Sequence, residues 1–143
     1  MKTKFYKNCD TAELTEVAEI LKNGGIAAIP TETVYGLAAN AYNGEAVSKV
    51  FEAKGRPQDN PLIVHIADIS DLETVAKDIP DSAYLAADRF WPGPLTMIFK
   101  RTDKIPASVS AGLDTVALRM PSDKTAREII KNSVPLAAPS ANT

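Results

Sequence analysis

The sequence predicts an α/β domain, bordering on α+β, with a twisted, mostly mixed sheet and flanking helices. Short apolar runs alternate with amphipathic helical segments along the whole chain. Three of those runs stop at a proline, which cannot continue a ladder. A length of 143 residues suits one hydrophobic core and leaves little room for a second.

Each element has its own signal. Asp10-Thr11-Ala12-Glu13 reads as a capping box. Leu14, Val17, Ala18 and Leu21 then share one helical face, and Gly24-Gly25 supplies a stop. Ile26 to Ile29 is an unbroken apolar run, which predicts a strand buried on both faces at the sheet centre. A second helix is expected from about Glu45 to Lys54, with Val47, Val50 and Phe51 inward and Gly55 at its end. Lys54 lies near that apolar stripe, where it faces the macrodipole or projects into a cleft.

Leu62 to Ile66 reads as a strand. Ser70-Asp71-Leu72-Glu73 is a second capping box, opening a helix with Leu72, Val75 and Ala76 inward. Pro80 breaks it and begins the next helix, Asp81 to about Phe90. Trp91-Pro92-Gly93-Pro94 is a rigid turn. Strands follow at Leu95 to Phe99 and Thr115 to Met120, then a helix from Ser122 to Lys131 and a short strand from Leu136 to Ala138.

Composition narrows the function. Apolar residues make up 45% and charged residues 24%, as in globular proteins rather than disordered or fibrous ones. Sixteen Lys and Arg stand against 18 Asp and Glu, a net charge of −2. That balance argues against bulk electrostatic binding of nucleic acid but leaves room for a local basic pocket. A single cysteine, Cys9, cannot form an internal disulfide, and with the single histidine, His65, it argues against a structural zinc site. Cys9 lies outside every motif and reads as inert. The basic start leads to no apolar h-region, and no apolar run approaches the roughly 20 residues that cross a bilayer. A cytoplasmic protein without a membrane partner is expected.

Three strand ends carry hydroxyls after proline: Pro30-Thr31-Glu32-Thr33, Pro121-Ser122 and Pro139-Ser140-Ala141-Asn142. In open α/β sheets ligands bind beyond the carboxyl ends of strands, so the three ends together suit one polar crevice. Each also has a plain reading: Thr31 and Thr33 as turn-formers, Ser122 as a helix N-cap, and the last segment as a simple turn. Lys54-Gly55-Arg56-Pro57 sets a mobile ammonium and a planar guanidinium beside a glycine, a pattern suited to phosphates. Arg119 sits in an apolar strand, where an unpartnered charge costs several kcal/mol. It requires either Glu32, an aspartate, or an anionic ligand. His65 is similarly divided between a core role and a ligand contact. No Walker A loop, G-x-G-x-x-G or nucleophile elbow is present.

The ordered motifs carry a resemblance. They are Pro30-Thr31-Glu32-Thr33-Val34-Tyr35-Gly36-Leu37, Lys54-Gly55-Arg56-Pro57, Asn60-Pro61-Leu62-Ile63-Val64-His65-Ile66, Trp91-Pro92-Gly93-Pro94-Leu95-Thr96, Val116-Ala117-Leu118-Arg119-Met120-Pro121 and Pro139-Ser140-Ala141-Asn142. From about Gly25 onward the chain resembles the YrdC/Sua5 family of L-threonylcarbamoyladenylate synthases, nearer the Sua5 branch than the hydrogenase-maturation relatives.

The resemblance implies a YrdC/RibB-like fold with an open, positively lined cavity. It also implies a nucleotidyltransferase that joins threonine, bicarbonate and ATP into threonylcarbamoyl-AMP and pyrophosphate. The product feeds N6-threonylcarbamoyladenosine formation at position 37 of tRNAs, through a downstream threonylcarbamoyl transferase complex. On this reading Lys54 and Arg56 are catalytic and bind ATP, with Asn60, Thr115, Ser140 and Asn142 also on the nucleotide. Thr31, Thr33, Tyr35, His65, Arg119 and Ala138 form the threonine site. The protein offers no metal site of its own, and Mg²⁺ rides on the triphosphate. No side chain is singled out as a general base.

The family domain continues past the Ser-Ala-Asn motif, whereas this sequence ends at Thr143. The resemblance therefore implies one YrdC-like domain over residues 1–143 that lacks its C-terminal part. That leaves open whether the shortened chain is active. Two other readings remain open at this stage: a module binding tRNA or double-stranded RNA without catalysis, and a related domain acting on carbamoyl phosphate.

Overall fold

The carboxylate of Asp10 accepts a hydrogen bond from the Glu13 backbone N–H at 2.9 Å, and helix α1 (Thr11–Lys22) begins there. The structure is a computed structural model and describes residues 3–7, 9–32, 34–55 and 60–141. After α1 the chain forms β1 (Ala27–Ile29) and, antiparallel to it, β2 (Gly36–Asn40). Asn43 caps α2 (Gly44–Lys54) through the N–H groups of Glu45 and Ala46. Gly55 ends that helix in the left-handed conformation, with φ of 61°. The remaining elements are β3 (Ile63–His65), α3 (Ser70–Val75), β4 (Ala76–Lys77), α4 (Asp81–Phe90), β5 (Met97–Arg101), β6 (Thr115–Arg119), α5 (Lys124–Lys131) and β7 (Leu136–Ala137).

The strands form one mixed sheet in the order β1-β2-β7-β3-β6-β5-β4. Only β3 and β6 pair in parallel among the described residues, with His65 opposite Arg119. Strand β7 runs antiparallel between β2 and β3, setting Leu136 opposite His65. Alternation along the strands sorts the side chains between two faces. Val64, Val116, Leu118 and Phe99 join Leu72, Val75, Ala83, Ala87, Val47 and Phe51 in the larger core, under α2, α3 and α4. Ile29, Ala38, Leu136 and Ala138 point the other way, where Val17 and Leu21 of α1 and Ile129 and Ile130 of α5 cover them. His65 and Arg119 share this second face through their register with Leu136 and with each other.

Several elements depart from the sequence expectation. β1 is an edge strand, not a central one, and Ala28 is exposed. Ile29 packs toward α1 on one face, and Ile26, just before the strand, packs toward Ala46 and Val50 of α2 on the other. β2 went unpredicted because Gly36-Leu37-Ala38-Ala39-Asn40 is poor in β-branched residues. Its small side chains let helices approach closely, with Ala39 against Ala46 and Val50 of α2. Ser70 does not cap α3; it lies inside the first turn, while Ile69 holds the cap position without a side-chain bond. Asp68 instead accepts from the Ser70 N–H at 2.8 Å, an Asx-type turn. Ala76 leaves the helix to pair with Arg101 in β4, and β5 begins two residues later than expected.

The Trp91-Pro92-Gly93-Pro94 turn contains a cis Trp91–Pro92 bond. The Trp91 indole N–H donates to the Leu95 carbonyl at 2.7 Å, and the Gly93 N–H donates to the Met120 carbonyl at 2.8 Å. The turn is thereby fixed against the end of β6, next to Arg119.

Candidate active site

Because β3 and β6 run in parallel, their carboxyl ends bring His65 and Arg119 side by side. A bridge between Gly36 and Ser140 closes the neighbouring wall, helped by the Leu37 N–H on the Pro139 carbonyl at 3.0 Å and the Ala141 N–H on the Tyr35 carbonyl at 2.7 Å. The result is a cleft of about 260 Å³. Thr31, His65, Arg119, Ala138 and Ser140 all line it. Lys54 reaches its rim from the end of α2, where its ammonium donates to the Ser140 carbonyl. Two cations from distant parts of the chain therefore meet at one hollow that also carries hydroxyls.

The other expected site residues fall differently. Tyr35 is exposed beside the cleft and does not line it. Asn60 is exposed one residue before Pro61, which does line it. Thr115 stands at the start of β6, four residues from Arg119 and so roughly 13 Å away along the strand. Thr33, Arg56 and Asn142 lie outside the described residues. Val34, Gly36, Leu62 and Ile63 also line the cleft, though sequence reasoning gave them no role. Their signal was their place inside the quoted motifs.

Arg119 resolves its burial with a protein carboxylate. Its Nη2 pairs with Oε1 of Glu32, and its Nε donates to the Gly93 carbonyl at 3.3 Å. Both partners are largely enclosed, with side chains 13% and 19% exposed. Desolvation pulls the guanidinium down from its ordinary value, yet an arginine stays charged. Ser122, expected as the cap of α5, is not the cap. Asp123 takes that place by accepting from the Ala126 N–H at 2.9 Å, and Ser122 is bonded to Glu32.

His65 is buried, and its Nδ1 has no well-formed hydrogen bond. Burial holds the imidazole below its ordinary 6.5, against a weaker opposing pull from the backbone of Leu136 and Ile63. The ring is therefore neutral at pH 7 and presents a polar edge to the cleft. Unfolding restores the ordinary value, so as pH falls the unfolded chain takes up this proton first. The stability contribution is present above about pH 6.5 and declines as pH drops toward the lower folded value. The urea midpoint is expected to fall as pH drops below about 6.5, and a His65→Gln variant is expected to flatten that fall.

A second hollow, of about 370 Å³, lies between α4 and residues 67–69. Asp68 and Asp88 border it and, among the described residues, no Lys or Arg does, so its charge opposes phosphates. No helix among the described residues is long and apolar enough to cross a membrane. No group of three His, Cys, Asp or Glu side chains is placed to hold a metal ion among those residues.

Comparison with known proteins places the chain in a family. The profile of the Sua5, YciO and YrdC proteins, described as telomere recombination, matches residues 19–143. The chain belongs to the YrdC/Sua5 family. Threonylcarbamoyl-AMP synthase of Pyrococcus abyssi is 53% identical over 126 residues, covering 87% of this chain and 37% of that protein. Threonylcarbamoyl-AMP synthase of Bacillus subtilis is 52% identical over 132 residues, covering 91% and 38%. The structure of P. abyssi Sua5 complexed with L-threonine superposes with a TM-score of 0.91 at 50% identity, over 93% of this chain and 39% of that one. This YrdC/Sua5 chain thus spans about two-fifths of the length of these relatives.

Proposed function

We propose that the cleft forms threonylcarbamoyl-AMP and pyrophosphate from L-threonine, bicarbonate and ATP. The observation that carries this reading is the meeting of Arg119, His65, Thr31 and Ser140 in one hollow with Lys54 at its rim. High identity to two threonylcarbamoyl-AMP synthases supports it, as does likeness to a relative holding L-threonine. At about 260 Å³ the cleft lies just below the roughly 300–1,000 Å³ of drug-sized small-molecule sites. That size suits an amino acid inside, with the nucleotide extending over the rim toward Lys54.

The chemistry asks for positioning and charge rather than for a covalent partner. Threonine nitrogen and bicarbonate condense to a carbamate with loss of water. A carbamate oxygen then attacks the α-phosphorus of ATP, and the bond to pyrophosphate breaks. Arg119 holds the threonine carboxylate, and Thr33 and His65 with the Ala138 backbone would shape the pocket around it. Thr31 and Tyr35 would line its mouth. Lys54 and Arg56 offset charge on the triphosphate and the leaving pyrophosphate, while Asn60, Thr115, Ser140 and Asn142 hold the nucleotide. The charged donors at the cleft are cations, which fit phosphate oxygens rather than a metal. Mg²⁺ accordingly travels with ATP, held by phosphate and water, and offsets phosphate charge there. The product would pass to a threonylcarbamoyl transferase complex that modifies tRNA.

The test is exchange of labelled pyrophosphate into ATP by this protein. Exchange that requires both threonine and bicarbonate supports the reading, and its absence from the folded protein contradicts it. Lys54→Met is expected to lower exchange by about 10²-fold, through a raised KM for ATP and a lower kcat. Threonine binding measured without ATP should change little.

A further inference from the structure

Glu32 has no part in the chemistry above and does not itself line the cleft, yet it holds Arg119, which does. Its Oε1 pairs with Nη2 of Arg119. Its Oε2 accepts from both the backbone N–H and the hydroxyl of Ser122, at 2.8 and 2.9 Å. One carboxylate thus joins the β1–β2 connection, the end of β6 and the segment leading into α5. We propose that Glu32 is an internal competitor of the substrate carboxylate at Arg119 and sets how tightly and selectively carboxylate ligands bind there. This rests on the threonine reading of the same cleft.

The argument is electrostatic. A guanidinium already holding a carboxylate is a neutral pair, and a second carboxylate beside it gains little and meets repulsion from Glu32. Exchange avoids this. When the substrate carboxylate takes the Nη2 edge, Arg119 trades one charged partner for another. Glu32 keeps both of its bonds to Ser122, so it gives up one of three interactions and remains anchored. A ligand without a carboxylate cannot drive the exchange and leaves Glu32 on Arg119. Glu32 is therefore a positioning residue that acts through Arg119, and Ser122 is the anchor that lets it yield.

Titration calorimetry with L-threonine and with L-threoninamide, which lacks the carboxylate, tests this. Glu32→Gln keeps an acceptor for Ser122 but removes the competing charge. It is expected to raise L-threonine affinity by about tenfold and leave L-threoninamide unchanged. Ser122→Ala weakens the anchor and is expected to lower L-threonine affinity several-fold. A merely structural role for Glu32 would lower affinity in both variants. Should Glu32→Gln fail to fold, Ser122→Ala carries the test: a loss of L-threonine affinity with L-threoninamide affinity unchanged supports the proposal, and either unchanged L-threonine affinity or an equal loss for both ligands overturns it. If the unaltered protein binds L-threonine and Glu32→Gln binds it no better, the proposal fails while the threonine reading stands. If the unaltered protein binds neither ligand, the threonine reading fails and this proposal falls with it.

Discussion

Arg119→Ala is expected to lower threonine-dependent pyrophosphate exchange by at least about hundredfold, and to destabilise the fold by about 2–3 kcal/mol. The two effects have separate origins. The activity loss follows from removing the group that holds the threonine carboxylate. The stability loss follows from Glu32, whose carboxylate is 19% exposed and would lose its cation. Breaking a fully buried pair costs roughly 3–5 kcal/mol, and the partial exposure of both side chains reduces that figure. The bonds from Ser122 soften it further, because they still serve the other oxygen. A Glu32→Ala, Arg119→Ala double variant should therefore be more stable than the sum of the single changes implies, by about 1 kcal/mol. Urea unfolding of the three variants measures this coupling. Simple additivity would mean that the pair contributes nothing.

Phe51→Ala is expected to be the most damaging single change to the fold, at about 3–5 kcal/mol. The side chain is 1% exposed and packs in the larger core with Leu62 and Val64. Total stability for a domain is only about 5–15 kcal/mol, so the variant would sit near the edge of unfolding. The effect extends to the site. Lys54 follows one turn later on α2, and its contact with Ser140 depends on that helix end staying in place. Nucleotide affinity should fall in any folded fraction, with faster amide exchange at Lys54 and Gly55. Phe51→Leu should cost less than about 1.5 kcal/mol and spare the nucleotide affinity. Equal damage from both substitutions would contradict the packing account.

Much of this was legible in the sequence where the cause is local. Asp10 caps α1 and Gly55 stops α2 because a carboxylate near free N–H groups and a glycine in the left-handed region act within a few residues. The inward faces of α1 and α2 followed from spacing alone. What depends on distant chain was not legible. An apolar run such as residues 26–29 does not say whether one or both of its faces are covered. Ser122 and Asp123 are equally good caps by composition, and Glu32, ninety residues away, takes Ser122 for itself. The partner of Arg119 was open between Glu32, an aspartate and an outside anion until the fold brought residues 32 and 119 together. Thr115 and Tyr35 entered through resemblance, and the geometry sets both outside the cleft lining.

A crystal structure of this protein soaked with L-threonine tests the central claim most directly. The account predicts the amino acid in the cleft beside His65, with its carboxylate within hydrogen-bond distance of the Arg119 guanidinium. L-Threonine bound elsewhere, or bound here with its carboxylate turned away from Arg119, would contradict it.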